Sequence, residues 1–296
     1  MLRKLFFLAF LLLSVCWGDI TFDGDFNWDE SGRKYCTGIM LAQFELKEPR
    51  IMKINAARIE ITNPKIDFVV AQRAPNAGEV MKDAPKYKIC TRRQTVRAFM
   101  ENVRKPVKNG GLGLNMVLGV NSTAWGPWPP PAGNVYAGSL GLVVSAGNLV
   151  SPPLPRKNAF VIYKDRSCKI LHTPEDFDIS NVHYAVAGFA KILTNGECTG
   201  DRALHPRTGF GISKDGKYMY IVVIDGRQKG YSEGCTTLEV AQLLKHLGAW
   251  NGLNMDGGGS STLMILDEKQ KTKMLNHHAK GWERDIACPF GIVLKE

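Results

Sequence analysis

No stretch of this sequence is long and apolar enough to cross a bilayer as a helix. The longest unbroken apolar run, Leu5 to Leu13, has nine residues, against the roughly 20 that a spanning helix needs. No two of the seven cysteines stand at Cys-x-x-Cys spacing, which removes zinc ribbons and thioredoxin-like redox sites. His205, His277 and His278 have no His, Asp or Glu neighbours at transition-metal spacing and read as solvated or hydrogen-bonded. Internal repeats at solenoid spacing are missing, and the 30 glycines and 15 prolines follow no period, so collagen-like and low-complexity architectures are excluded. Long basic runs are missing as well. The 38 basic and 28 acidic residues are scattered, densest at Arg92-Arg93, Arg104-Lys105 and Lys269 to Lys273. A net charge of +10 spread in this way reads as solvated surface, and nucleic acid is not an expected partner.

What is present is a globular composition, 44% hydrophobic and 22% charged, enough to build a sizeable core. A length of 296 residues admits one large domain or two small ones. At the start, Arg3 and Lys4 precede the apolar run, and small residues follow at Ser14, Cys16 and Gly18. That layout predicts a secretory signal over 1–18 and a secreted or periplasmic protein. A lipid anchor through Cys16 is the second reading, weakened by Val15 in front of the cysteine. Export would leave Cys36, Cys90, Cys168, Cys198, Cys235 and Cys288, an even set from which at least one disulfide is expected.

Along the chain, strands are predicted within 51–70, 114–120, 140–144, 160–163 and 218–224 from their apolar patterning. Thr91 precedes a helical pattern from Arg92 to Val103, with Val96, Phe99, Met100 and Val103 on one face. Thr236 to Glu239 is a capping box opening a second helix, whose buried stripe is Val240, Leu244 and Leu247 and whose end falls at Gly248. Trp125 to Ala132 holds four prolines and must be irregular. Strands dominate and do not alternate with helices, so the predicted class is α+β, a mixed, strand-rich sheet with a few flanking helices.

Arginine, carboxylate and glycine concentrate in three late segments: His205 to Gly211; Asp225-Gly226-Arg227 with Ser232 to Thr236; and Asn254 to Thr262, followed by Glu283-Arg284. Three consecutive glycines at 257–259 cost folding entropy, a cost that makes sense where the backbone bends sharply or approaches a ligand. Without a lysine the run is no nucleotide P-loop. Each segment alone has a bland reading as a turn or a surface ion pair. Together, three arginines near carboxylates suit recognition of a phosphate or carboxylate.

The run Arg207-Thr208, Asp225-Gly226-Arg227, Ser232 to Thr236, Leu247-Gly248-Ala249, Asn254 to Ser261 and Gly281-Trp282-Glu283-Arg284 resembles the phosphodiester glycosidase family. Thinner matches reach back to Gly119-Val120-Asn121 and Ala185 to Gly188, while Ser122 to Trp125 and the proline-rich loop depart from the pattern. The resemblance implies a catalytic region over 119–296, with 19–118 either the first part of the same domain or an accessory region. It implies a hydrolase that cleaves sugar-1-phosphodiesters between the anomeric carbon and the phosphate oxygen. Such a reaction passes through an oxocarbenium-like state, commonly flanked by carboxylates. On this basis Asp256 and Glu283 are the expected base or nucleophile, and Asp225 an orienting partner. Arg207, Thr208, Arg227 and Arg284 would hold the phosphate, with Gly257, Gly258, Gly259, Ser260, Ser261 and Asn121 around phosphate or sugar. No cofactor or metal is called for, though calcium near Asp225 and Asp256 stays open because oxygen ligands leave little sequence trace. Asn121-Ser122-Thr123 also fits a glycosylation sequon, and Trp125 and Trp128 suit sugar stacking. The competing readings are an enzyme that trims envelope glycans and a non-catalytic carbohydrate-binding envelope protein.

Overall fold

The structure, a computed structural model, describes residues 20, 22 and 24–296; the expected signal segment and Cys16 lie outside the described residues. Among the described residues the strands form three antiparallel sheets and a small three-stranded one. With 40% of the described residues in strands or bridges and 11% in helices, it is strand-rich with few helices, as expected, and lies further toward all-β than the α+β label. The physical reason is that many connecting segments form strands of two to five residues, too short for any period to be read from sequence.

The largest sheet runs Arg33–Cys36, Ile39–Leu46, Met52–Glu60, Tyr218–Ile224, Arg207–Ile212, Asn251–Asn254, Ala190–Thr194 and Glu197–Cys198. Met52–Glu60 pairs with Tyr218–Ile224 from Ile54↔Ile224 to Glu60↔Tyr218, so early and late parts of the chain interleave in one sheet. The second sheet is ordered Thr272–Met274, Leu263–Leu266, Met116–Asn121, Pro289–Leu294, Ile66–Val70. A third is ordered Asn148–Ser151, Val143–Ser145, Val182–Gly188, Asn158–Tyr163, Cys168–His172. Each of the three contributes one fully buried ring to a shared cluster, Phe210, Phe290 and Phe160, with centroids 5.5–6.2 Å apart. Edge-to-face and tilted contacts of this kind add to the burial of three large side chains, and they lock the sheets together beneath the site.

The helix Val96–Arg104 starts later than its pattern suggested. Thr95, not Thr91, is the cap, its side chain accepting from the Ala98 amide at 3.0 Å, while Thr91–Arg92 pairs as a short strand with Ala137 and Tyr136. Its buried face is Val96, Phe99, Met100 and Val103, as the spacing predicts. The helix Thr237–His246 carries the full capping box of Thr236 and Glu239, and Gly248 follows its end at φ +109°. Buried Arg50 pairs with the same Glu239 carboxylate.

The expected disulfide is not found: Cys36, Cys90, Cys168, Cys198, Cys235 and Cys288 are all free thiols. Cys36, Cys168 and Cys288 pack in or against the core shared by the sheets, and Cys198 and Cys235 in or against the cluster under the Thr237–His246 helix. Burial pushes the Cys168 thiol up to about 12. A core of this size does the stabilising work that cross-links perform in small domains.

Candidate active site

The strands Arg207–Ile212, Tyr218–Ile224 and Asn251–Asn254 lie side by side, and the loops after the last two carry the motif residues to the same end of the sheet. Register explains this: Arg207 faces Ile224, the last strand residue before Asp225, and Gly209 faces Asn254, two residues before Asp256.

Asp225 is 2% exposed. Its Oδ1 accepts from the His277 amide at 2.9 Å and from Asn276 Nδ2 at 3.3 Å. Its carbonyl accepts from Ser232 Oγ at 2.7 Å, which in turn receives the Lys53 amide at 3.0 Å. Burial raises the carboxyl to about 6, against the opposing pull of these donors. Asp225 lines a partly enclosed cavity of about 220 Å³ together with Ser261, Asn276, His277, His278 and Trp282. Ser261 Oγ is buried there with no hydrogen-bond partner among the described residues.

Asp256 is half-buried and lines a second, more open cavity of about 410 Å³ with Trp125, Trp128, Phe189 and His205. Its Oδ1 accepts from the Gly257 amide at 3.1 Å. Removal from water raises this carboxyl too, to about 6, while Ser260, the nearby Arg284 and the Gly257 amide pull it down. The two cavities share a wall made of Arg227, Gly258, Gly259 and Arg284.

That wall depends on its glycines. Gly258 has φ +63°, a conformation side chains resist. At Gly259 an added Cβ would run into the Arg284 guanidinium. Arg284 stacks on Trp128, Cζ 4.1 Å from the ring centroid, and reaches Ser260 Oγ at 3.4 Å. Arg227 donates to His205 Nδ1 at 3.0 Å, so His205 is neutral with its proton on Nε2. Burial, and then the charges of Arg207 and Arg227, hold the His205 pKa below its ordinary value. The amides of Gly257, Gly258, Ser260 and Ser261 donate to Asp256 Oδ1, Pro206 O, Gly257 O and Gly258 O. Four of the five amides from Gly257 to Ser261 are thus engaged, and the guanidinium groups of Arg227 and Arg284 are the charged donors of the wall.

Several expected site residues have other placements. Asn121 is fully buried: Nδ2 donates to Asp256 O at 2.6 Å, and Oδ1 accepts from Thr208 Oγ1 at 2.8 Å and from the Thr262 amide at 3.0 Å. Asn121 and Thr208 are therefore a buried clasp that fixes the backbone at Asp256, and the sequon asparagine has no free amide to modify. Arg207 lines the open cavity but is largely spoken for by Cys235 O, Ala203 O and Asp201 Oδ1. Glu283 lines neither cavity; it accepts from the Arg97 amide at 2.9 Å and pairs with Arg97 Nε at 3.5 Å, capping the Val96–Arg104 helix. Conversely, Asn276, His277 and His278 belong to the first cavity although no motif pointed to them, and His205, at the head of the first of the three segments, lines the second. His278 Nε2 donates to Thr262 Oγ1 at 3.0 Å, whose own proton goes to Ser260 O at 3.1 Å. Among the described residues no three His, Cys, Asp or Glu side chains gather around one point, and no helix is long and apolar enough to cross a membrane.

The model of the phosphodiester glycosidase family matches residues 117–293. No curated protein matches by sequence. Among solved structures, the chain resembles the catalytic domain of zebrafish N-acetylglucosamine-1-phosphodiester alpha-N-acetylglucosaminidase, auto-inhibited by its pro-peptide. The TM-score is 0.59 at 15% identity, over 87% of this chain and 82% of that one. A hypothetical protein from Synechocystis gives a TM-score of 0.57 at 12% identity over 89% of this chain, which spans 63% of that protein's chain. A Burkholderia pseudomallei protein described as exported gives 0.56 at 13% identity, over 83% of this chain and 74% of its own. At these identities the likeness is one of fold.

Proposed function

The chain belongs to the phosphodiester glycosidase family, and from that premise we propose that it hydrolyses sugar-1-phosphodiesters between the anomeric carbon and the phosphate oxygen. The observation that carries the reading is the shared wall of Arg227 and Arg284, with a carboxylate of raised pKa on each side of it. A phosphodiester needs a cationic clamp where negative charge grows as the bond breaks, and preorganised guanidinium groups supply it.

In this reading the sugar occupies the partly enclosed cavity, the phosphate lies against Arg227 and Arg284, and the rest of the substrate leaves through the open cavity. Both donors to Asp225 go to Oδ1, so Oδ2 serves as the base that takes a proton from water. The water oxygen bonds to the anomeric carbon as the carbon–oxygen bond to phosphate breaks, and the phosphate monoester departs with the electron pair. Asp256, on the departing side, acts in its protonated form as a hydrogen-bond donor to that phosphate. Carboxyls lifted to about 6 suit this division of labour near pH 6. Glu283, turned to Arg97, is given no chemical step. Export of the protein, with cleavage after Gly18, is part of the proposal; an exported form whose N-terminus is Asp19 would support it, and a cytoplasmic full-length form would refute it.

The test is to incubate the purified protein with a panel of sugar-1-phosphodiesters and with neutral aryl glycosides. Release of free sugar from phosphodiesters alone, lost in Arg227→Ala, is expected. Cleavage of neutral glycosides at equal rates, or turnover indifferent to Arg227→Ala, would overturn the reading.

A further inference from the structure

Two of the three basic clusters, 165 residues apart in sequence between Arg104 and Lys269, meet on one face. Arg104 Nη2 donates to Gln270 Oε1 at 3.4 Å. A cleft of about 570 Å³ is lined there by Arg97, Glu101, Arg104, Lys105, Gln270, Lys271 and Thr272. Lys269 and Lys273 border the neighbouring cleft with Arg33, and Lys108 follows in the turn after the helix. None of the ion pairs among the described residues uses Lys105, Lys108, Lys269, Lys271 or Lys273, and all five are exposed.

Structural duties do not account for this concentration of charge. Arg97 and Arg104 do have such duties: Arg97 Nη1 donates to Thr272 O at 2.9 Å and Arg104 Nη1 to Asn115 Oδ1 at 2.9 Å. Arg104 and Lys105 also complement the helix C-terminus. The three lysines of the 266–274 hairpin do neither. Glu101 in this cleft and Asp267 and Glu268 in its neighbour are outnumbered by the basic side chains, and an external anion would relieve the repulsion among the excess.

The place of this face points to its ligand. Arg97 ties the hairpin to Glu283, and the next residue, Arg284, forms the wall proposed to hold the scissile phosphate. One strut therefore joins the basic cleft to the active site. We propose that this face is a second, non-catalytic binding site for a polyanionic glycan with repeating phosphodiester links, whose chain runs on toward Arg284. The inference rests on the sugar-phosphodiester reading of the active site and names its substrate as polymeric. Holding a polymer at a distant point raises the local concentration of its reactive links without adding any contact at the reacting atoms. A concave cleft fits a chain rather than a flat lipid surface.

The experiment uses the whole protein, the triple variant Lys105→Glu, Lys271→Glu, Lys273→Glu, and its Gln counterpart. Binding of long-chain inorganic polyphosphate is measured at low and at moderate salt, beside vesicles of phosphatidylcholine with and without phosphatidylglycerol. The parent is expected to bind polyphosphate with an affinity that falls steeply with salt. The Glu triple should bind at least about tenfold more weakly and the Gln triple less so, both with unchanged melting temperatures. Turnover of a small sugar-1-phosphodiester should stay within about twofold of the parent, because no substituted side chain touches the site. Undiminished polyphosphate binding by the triple variants would overturn the proposal, as would binding of the parent to anionic vesicles but not to polyphosphate. If polyphosphate binding follows the lysines while no phosphodiester is turned over, the docking face stands and the active-site reading falls.

Discussion

The two carboxylates of the site are raised by the same cause, removal from water, but are held by different kinds of partner. Asp225 is deeply buried and held by Asn276 and His277, some fifty residues further along the chain. Asp256 is half-buried, and its carboxyl is steadied by its own loop, through the Gly257 amide and Ser260. The first exists only once the late hairpin has docked; the second forms with the local turn, which Asn121 then clasps from below. A site assembled this way couples a distant contact and a local one, and either can be disturbed without touching the other.

The largest effect should come from removing each carboxylate in turn. Asp225→Asn and Asp256→Asn are each expected to lower kcat about 10³-fold. The parent pH profile should be a bell centred near pH 6, its acidic limb from Asp225, which must be ionised, and its alkaline limb from Asp256, which must be protonated. The residual activity of each variant should lack the matching limb; loss of the opposite limb would reverse the assignment. Next, Arg284→Lys keeps the charge but loses the planar group over Trp128, and kcat on phosphodiesters should fall about 10²-fold. Stability gives a third contrast. The Asp225 carboxyl is raised to about 6 from an ordinary value near 3.8, so its contribution is favourable at low pH and is lost as pH rises through 6. Asp225→Asn should therefore be more stable than the parent above pH 7, by about 3 kcal/mol at most, with the gap closing below pH 4. Finally, Asn276→Ala should raise the acidic limb and Ser260→Ala the alkaline limb, each by about half a pH unit, because each removes a donor that favours the ionised form. If Asn276→Ala moved both limbs together, the two carboxylates would not be independently held.

The part of this site carried by contiguous motifs was legible in the sequence. Asp225-Gly226-Arg227 and the 256–261 run stand out because glycine, arginine and carboxylate are costly together unless a ligand is involved. Asn276 and His277 were not legible, since a polar pair in a loop has no pattern until Asp225 is placed against it. Glu283 shows the opposite failure: a carboxylate beside a site arginine reads as chemistry, yet it faces Arg97 at the start of a helix whose true beginning the pattern had misplaced. Asn121 and Thr208 stand beside Asp256, but a buried amide that satisfies three partners at once is a clasp, and sequence cannot distinguish a clasp from a ligand. The long strand Tyr218–Ile224 and the Thr236 capping box were predicted closely because each carries a strong local signal. The short strands that make the molecule mostly β carry none.

The pairing of Met52–Glu60 with Tyr218–Ile224 has a practical consequence for anyone cutting the chain. The family-matched stretch 117–293, expressed alone, would bare the whole length of an almost wholly apolar strand, a ready template for edge-to-edge aggregation. During synthesis Met52–Glu60 emerges more than 150 residues ahead of Tyr218–Ile224, so the central sheet closes late and one edge of that early strand stays unpaired until its partner arrives.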